Sequence, residues 1–214
     1  MTRKKINPPE RTTYRHGDLR RALLEAGIEL ARSGGPDAIV LREATRRAGV
    51  VPNAAYRHFA SRQELLMAVR AHALSKLAIA MENEMDSLRE KPGSAAYARG
   101  CLRAVGLGYL SFAHAEPGLF RTAFSVPLND GAESDPARAG RSGLNPFQLL
   151  GAALDRMAEA GVLPPERRLG AEYLAWSAVH GLAMLFTDGP LRSLTDAQRS
   201  VVGKRVVDMV EKGL

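Results

Sequence analysis

The chain has 214 residues, 45% of them hydrophobic and 25% charged, with a formal net charge of +7. That length can bury a core, as one large domain or a small one joined to a larger, and the single cysteine, Cys101, excludes an internal disulfide framework and fits a reducing cytoplasm. No apolar run approaches the roughly 20 residues that span a bilayer, and no apolar stretch of a secretory signal follows the basic start MTRKKINPPERTTYRHG.

The charge is unevenly spread. Residues 1–70 hold 14 Lys and Arg against 7 Asp and Glu, and the rest of the chain 16 against 16. A basic first third on a neutral body points to a polyanion-binding module or to a solvated basic tail.

Every segment reads as helix, and no run of alternating β-branched residues suggests a sheet. Residues 1–16, with Pro8-Pro9, read as a flexible arm. Asp18 is placed to cap a helix carrying Leu19, Leu23, Ala26 and Leu30, which Gly34-Gly35-Pro36 ends. A short helix follows from Leu41 to Ala48, then a turn at Gly49. A third helix runs from Pro52, at a position where its missing N–H costs nothing, to Phe59. Ser61-Arg-Gln-Glu64 is a capping box opening a long helix with Leu66, Val69, Ala73, Leu77, Met81, Met85 and Leu88 on one stripe. Lys91-Pro92-Gly93 breaks it. The next helix spans Ser94 to Ala115, and a short one runs from Pro117 to Phe124. The polar stretch 127–143 reads as a mobile loop. Helices are expected again over Asn145–Ala160, Glu166–Phe186 and, behind a second capping box at Thr195, to Lys212.

Two short helices joined by a Gly turn form the helix–turn–helix pattern, whose second helix enters a DNA major groove. Leu41, Ala44, Ala48, Val50, Ala55 and Phe59 can hold the pair together, leaving Asn53, Ala54, Arg57 and His58 to face outward.

From Ala48 to Leu66 the chain reads AGVVPNAAYRHFASRQELL. This segment, with the helix before it, resembles the TetR family of bacterial transcriptional regulators, through Ala48, Gly49, Val50, Tyr56, His58, Phe59, Ser61, Arg62 and Leu65. Further on, Trp176, His180 and Gly181 resemble a Trp-x-x-x-His-Gly signature found in the C-terminal half of a subset of that family. The chain departs from the family at Val40 and Val51, where Ser or Thr commonly caps a helix, and at Thr45, where a packed Ala is usual.

The resemblance implies an all-α protein, with a helix–turn–helix DNA-binding domain over 17–60 and a helical ligand-binding and dimerisation domain over 61–214. It implies DNA contacts at the start of the second helix, along the third and at the start of the fourth. Carried over, Tyr56, His58 and Arg62 meet phosphates and Arg42 is a further backbone contact. Pro52, Asn53, Ala54 and Arg57 face the bases by position, Arg57 reaching either guanine or a phosphate, and the N–H groups of Val51 and Asn53 stand at a helix start that attracts anions. Arg3, Lys4 and Lys5 follow the duplex as a basic arm, while Tyr14, Arg15 and His16 are as well read as a lead-in.

The same resemblance implies a homodimer through the last two helices, with Ala175, Ala178 and Gly181 allowing close approach. It also implies a pocket for a hydrophobic or aromatic ligand among Tyr97, Cys101, Tyr109, Phe112, Phe120, Phe124, Phe147, Met157, Trp176, His180 and Met184. The expected function is a ligand-responsive repressor on a near-palindromic operator in double-stranded DNA. A basic module for RNA or anionic surfaces is the alternative. An enzyme is the remaining class, but the chain has no metal, phosphate-loop or nucleophile motif, so no cofactor or metal site is expected.

Overall fold

The computed structural model describes residues 16–125 and 135–214. The basic arm, up to Arg15, and the first part of the expected 127–143 loop lie outside the described residues. Ten α-helices follow in order: α1 His16–Gly34, α2 Leu41–Arg47, α3 Pro52–Ala55, α4 Arg62–Asp86, α5 Ala95–Ala115, α6 Pro117–Ala123, α7 Pro146–Glu159, α8 Pro165–Arg168, α9 Ala171–Thr187 and α10 Asp196–Gly213. The described residues include no strand.

Local chemistry sets most of these ends. Ser61, Ser94, Asn145 and Thr195 each accept a hydrogen bond from the N–H three residues on, satisfying a donor that the first turn leaves orphaned. At Asn145 and Thr195 the return bond, from Gln148 and Gln198, completes a capping box. At Ser61 the box is displaced by one residue, because Glu64 takes the N–H of Ala60 at 2.7 Å instead. After α2 the N–H of Val50 bonds to Thr45 O and that of Gly49 to Arg46 O. This is a Schellman turn, and it needs Gly49 at φ +67°.

Four expectations are corrected. Helix α1 begins at His16 rather than behind a cap on Asp18. The third helix closes at Ala55, and Tyr56–His58 continue as a turn, with the His58 and Phe59 N–H groups both bonding to Ala55 O. The helix expected over Glu166–Phe186 is broken, because Gly170 at φ +78° separates α8 from α9. Residues 135–143 are built rather than loose. They form a 3-10 turn over Pro136–Arg138, followed by a bend held on the buried Glu82, whose carboxylate accepts from the N–H groups of Arg141 and Ser142 at 2.8 Å each.

The buried apolar residues form one cluster that runs from Leu19 to Leu214. The start of α4 packs on α1, with Leu65 and Val69 against Gly27, and the rest of α4 lies along α5. Helix α6 wedges between α1 and α4. At Gly118 an added Cβ would stand 2.2 Å from Ala31 O and 2.6 Å from Arg32 O, so only glycine allows this approach. Arg70 of α4, wholly buried, donates to Ala123 O at the far end of α6 at 3.0 Å. Arg32–Glu116 and Arg121–Asp188 tie the same helix to α1 and to the end of α9. Gly118→Ala is expected to cost at least about 1–3 kcal/mol through backbone overpacking, read as a lower urea midpoint with unchanged m-value.

Candidate functional site

Two regions carry chemistry. The first is the surface around α3. Ala55 and Phe59 are wholly buried, and Arg20 lies over the Phe59 ring with its guanidinium carbon 5.0 Å from the ring centre. Those two anchors leave the residues between and before them outside. Val51 is 69% exposed and Tyr56 57%; Arg42, Asn53 and Arg57 are exposed, and Ala54 and His58 are half-buried. Val40 caps α2 with no side-chain bond, as its departure from Ser or Thr implies. Thr45 is buried, and its hydroxyl donates to Arg42 O at 2.6 Å, so the polar atom is satisfied within the helix.

Charge around the turn is partly self-neutralised. Glu43 lies 2.6 Å from Arg46 and 3.2 Å from Arg47, and hydrogen bonds from these two, Arg46 first, pull its carboxyl down to about 2. Arg62, expected at phosphate, is committed in the folded chain. Its Nε donates to Ile39 O and one Nη to Pro36 O, both at 2.7 Å, clamping the link between α1 and α2 onto the start of α4. The planar fork holds both carbonyls in one fixed geometry.

The second region is a cavity of about 260 Å³ walled by α4, α5, α7, α9 and α10. Of the residues expected there, Tyr109, Phe124, Phe147 and Trp176 line it. Tyr97, Cys101, Phe112, Phe120, Met157 and Met184 do not. On α5 the reason is helical phase: Leu102, Val105, Gly106 and Tyr109 turn inward, so Tyr97, Cys101 and Phe112 fall about 100° away on the packed side. Met157 is core, and Met184 sits on the outer side of α9, 37% exposed. Ala175, expected at a dimer contact, lines the cavity instead. Arg138, Tyr173, Val207 and Val210 also line it and were missed. Arg138 lay in the stretch read as a loop, and the two valines on a helix read only as a dimer surface.

Beside the cavity is a polar chain in an aromatic cage. Trp176 Nε1 donates to the Tyr109 hydroxyl at 3.3 Å. That hydroxyl also shares a hydrogen bond with His180 Nδ1, 2.7 Å away. Burial pushes the Tyr109 phenol up and the His180 imidazole down, holding both neutral. Phe120 meets Tyr109 edge-on at 5.5 Å, and Phe124 lies 4.9 Å from His180 and 6.2 Å from Trp176. His180 thus reaches the cavity only through its partners. Among the described residues, no group of three His, Cys, Asp or Glu could hold a metal.

Fold and site define a helix–turn–helix DNA-binding protein with a helical body that encloses a cavity. Comparison agrees. Residues 23–69 match the family model for bacterial regulatory proteins of the tetR family, and residues 102–209 match that for a tetracyclin repressor-like C-terminal domain. The chain belongs to the TetR family, whose members are transcriptional regulators rather than enzymes.

Among solved structures, the chain is similar to a protein of unknown function from Rhodococcus sp. RHA1. The two share 26% identity over 95% of this chain and 99% of that one, with a TM-score of 0.74. It also shares its fold with the TetR family regulator PfmR from Thermus thermophilus (21% identity, 90% and 98% covered, TM-score 0.59). A TetR variant from Acinetobacter baumannii AYE, solved in complex with minocycline, gives 16% identity, 89% and 93% coverage and a TM-score of 0.59. No curated protein gives a significant match.

Two outcomes follow for the polar chain. Tyr109→Phe removes the hydroxyl that Trp176 and His180 share, and is expected to cost about 1–3 kcal/mol in urea unfolding. Burial lowers both His180 and His72 below the ordinary 6.5, so the unfolded chain binds protons more readily than the folded one. Stability is therefore lost as pH falls from 6.5 towards the depressed values, which melting curves between pH 7.5 and about 5 detect.

Proposed function

We propose that the chain is a ligand-responsive repressor, acting in the cytoplasm as a homodimer on a near-palindromic operator. The observation that carries this is the exposure of Val51, Asn53, Tyr56 and Arg57, standing on the buried anchors Ala55 and Phe59. Asn53 and Arg57 offer donors for base edges, and Tyr56, His58 and Arg42 offer phosphate contacts. Arg62 contributes by holding the start of α4 beside α2.

A single turn of helix reads few base pairs, so two copies one helical turn of DNA apart, roughly 34–36 Å, are needed for specificity. The surface that pairs them lies on α9 and α10. Leu174 and Leu185 on α9, and Val201 and Met209 on α10, are 40–66% exposed, and Ala178 and Gly181 lie at helical spacing between the two leucines. Among the described residues no helix is long and apolar enough to cross a membrane. An apolar patch of this kind then marks a protein contact.

Helix α6 supports the coupling. Gly118 seats it on α1, and Phe124, the residue that ends it, lines the cavity. A ligand that prefers one setting of Phe124 therefore prefers one setting of α1 and of the helix–turn–helix behind it. Release follows only to the extent of that difference in affinity.

The test is a gel shift on a duplex selected from random sequence by the purified protein. Tyr56→Ala and Arg57→Ala are each expected to weaken binding about tenfold or more, with a shallower salt dependence. Leu174→Glu with Leu185→Glu is expected to give a monomer in sedimentation and to lose the shift. Unchanged affinity in the first pair, or equal competition by unrelated duplex, contradicts the reading; the latter favours a non-specific polyanion binder.

A further inference from the structure

Resting on the reading of α2 and α3 as the face that meets DNA, we infer that Glu43 is a positioning residue that restrains DNA binding. It holds Arg46 and Arg47 back from phosphate, so the protein engages the duplex backbone with fewer cations than α2 carries. Leu41, Ala44 and Thr45 of that helix are buried, which turns Arg42, Arg46 and Arg47 outward. Arg42 and Arg46 stand one helical turn apart and so share a stripe. In a helix–turn–helix the first helix of the pair crosses the DNA backbone. An arginine stripe there is placed for phosphate, and Glu43 reaches this stripe.

The restraint is geometric. Oε1 of Glu43 accepts from Arg46 Nη2 at 2.6 Å and from Arg47 Nε at 3.2 Å, and Oε2 accepts from Arg46 Nε at 2.9 Å. Arg46 is thus held by two parallel bonds, the same fork with which a guanidinium takes a phosphate. Phosphate and Glu43 therefore compete for the same donors. The start of α2 explains why Glu43 points this way. It is the third residue of the helix, where the carboxylate of a capping box reaches back to the N-cap. Val40 stands at that cap with no side-chain bond, and Glu43 turns forward to the arginines instead.

The Arg46 side chain is 73% exposed, and an ion pair so open to water is weak enough for DNA to break. Breaking it leaves a carboxylate facing the phosphates. The arginine hydrogen bonds, that of Arg46 first, hold this carboxyl at about 2, so near neutral pH no proton relieves the repulsion. The cost is the same for every sequence. It lowers the backbone attraction that any duplex offers and leaves the base contacts around α3 a larger share of the binding.

The test measures binding of the full chain to an unrelated duplex and to the selected one, by fluorescence anisotropy at about 50 to 200 mM salt. Glu43→Gln is expected to bind the unrelated duplex about three- to tenfold tighter and to steepen the slope of log K against log salt by about one to two, the release expected for one or two further phosphate contacts. In a chain that also carries Arg46→Gln and Arg47→Gln, the steepening is expected to vanish. Arg46→Gln with Arg47→Gln alone is expected to leave the natural slope nearly unchanged, because those arginines are withheld while Glu43 is present.

A slope that Glu43→Gln leaves unchanged or flattens overturns the inference and leaves the DNA reading standing. Weaker binding with a lower urea midpoint does the same, since Glu43 then only props the first turn of α2. A natural chain that binds neither duplex overturns both. Should Glu43→Gln not fold, the arginine pair still decides: a natural slope that flattens by about one to two on their removal places them on phosphate already and overturns the inference.

Discussion

Helix α6 is the constraint on which the rest depends. It is seven residues long, too short to be stable alone, and exists because three neighbours hold it. Gly118 lets its first turn rest on the last carbonyls of α1, Arg70 donates to its last carbonyl from inside the core, and Phe120 is wholly buried. Loss of any one leaves an overpacked backbone, a buried polar group unmet or a cavity, each worth about 1–3 kcal/mol or more. The same helix therefore touches the part of the chain that faces DNA and the part that encloses the cavity.

The body of the protein places its polar atoms sparingly. Tyr109, Trp176 and His180 satisfy one another inside a ring of phenylalanines, which keeps an otherwise costly hydroxyl, indole and imidazole neutral and paired. Glu82 does the equivalent for the bend at 140–144, where backbone N–H groups close on its carboxylate. Glu211, buried on α10, is met by Arg99 and Arg103 of α5 and fastens those two helices. Each pair spans a long stretch of sequence, so these few contacts set how the helices around the cavity are stacked.

Much of this was legible in the sequence, and the reasons are local. Ser61, Ser94, Asn145 and Thr195 announce helix starts because a side-chain oxygen and an N–H three residues on are enough to make a cap. Gly49 announces a turn because its positive φ suits little else. The motif from Ala48 to Leu66 carried the exposed face around α3, since burial of Ala55 and Phe59 follows from their apolar character. Failures came where tertiary contact decides. Arg138 hid in a polar stretch whose order depends on Glu82 and Ser75, both more than fifty residues earlier. On α5, a stripe chosen by apolar spacing was out of phase with the cavity, because that helix buries residues on more than one face and spacing alone could not say which side was hollow. Arg62 is an exposed cation, as the sequence suggests, but only the fold brings the carbonyls of Pro36 and Ile39 within its reach.

The most direct measurement is hydrogen exchange of the dimer, free and bound to its selected duplex. If α6 joins the two regions, binding at the DNA surface must alter the cavity side as well, because coupling between sites is reciprocal. The account requires that amides of Pro117–Ala123 and of the cavity wall on α5 and α9 change their exchange on DNA binding, along with those of α2 and α3. Protection confined to α2, α3 and the start of α4, with α6 unmoved, would contradict it.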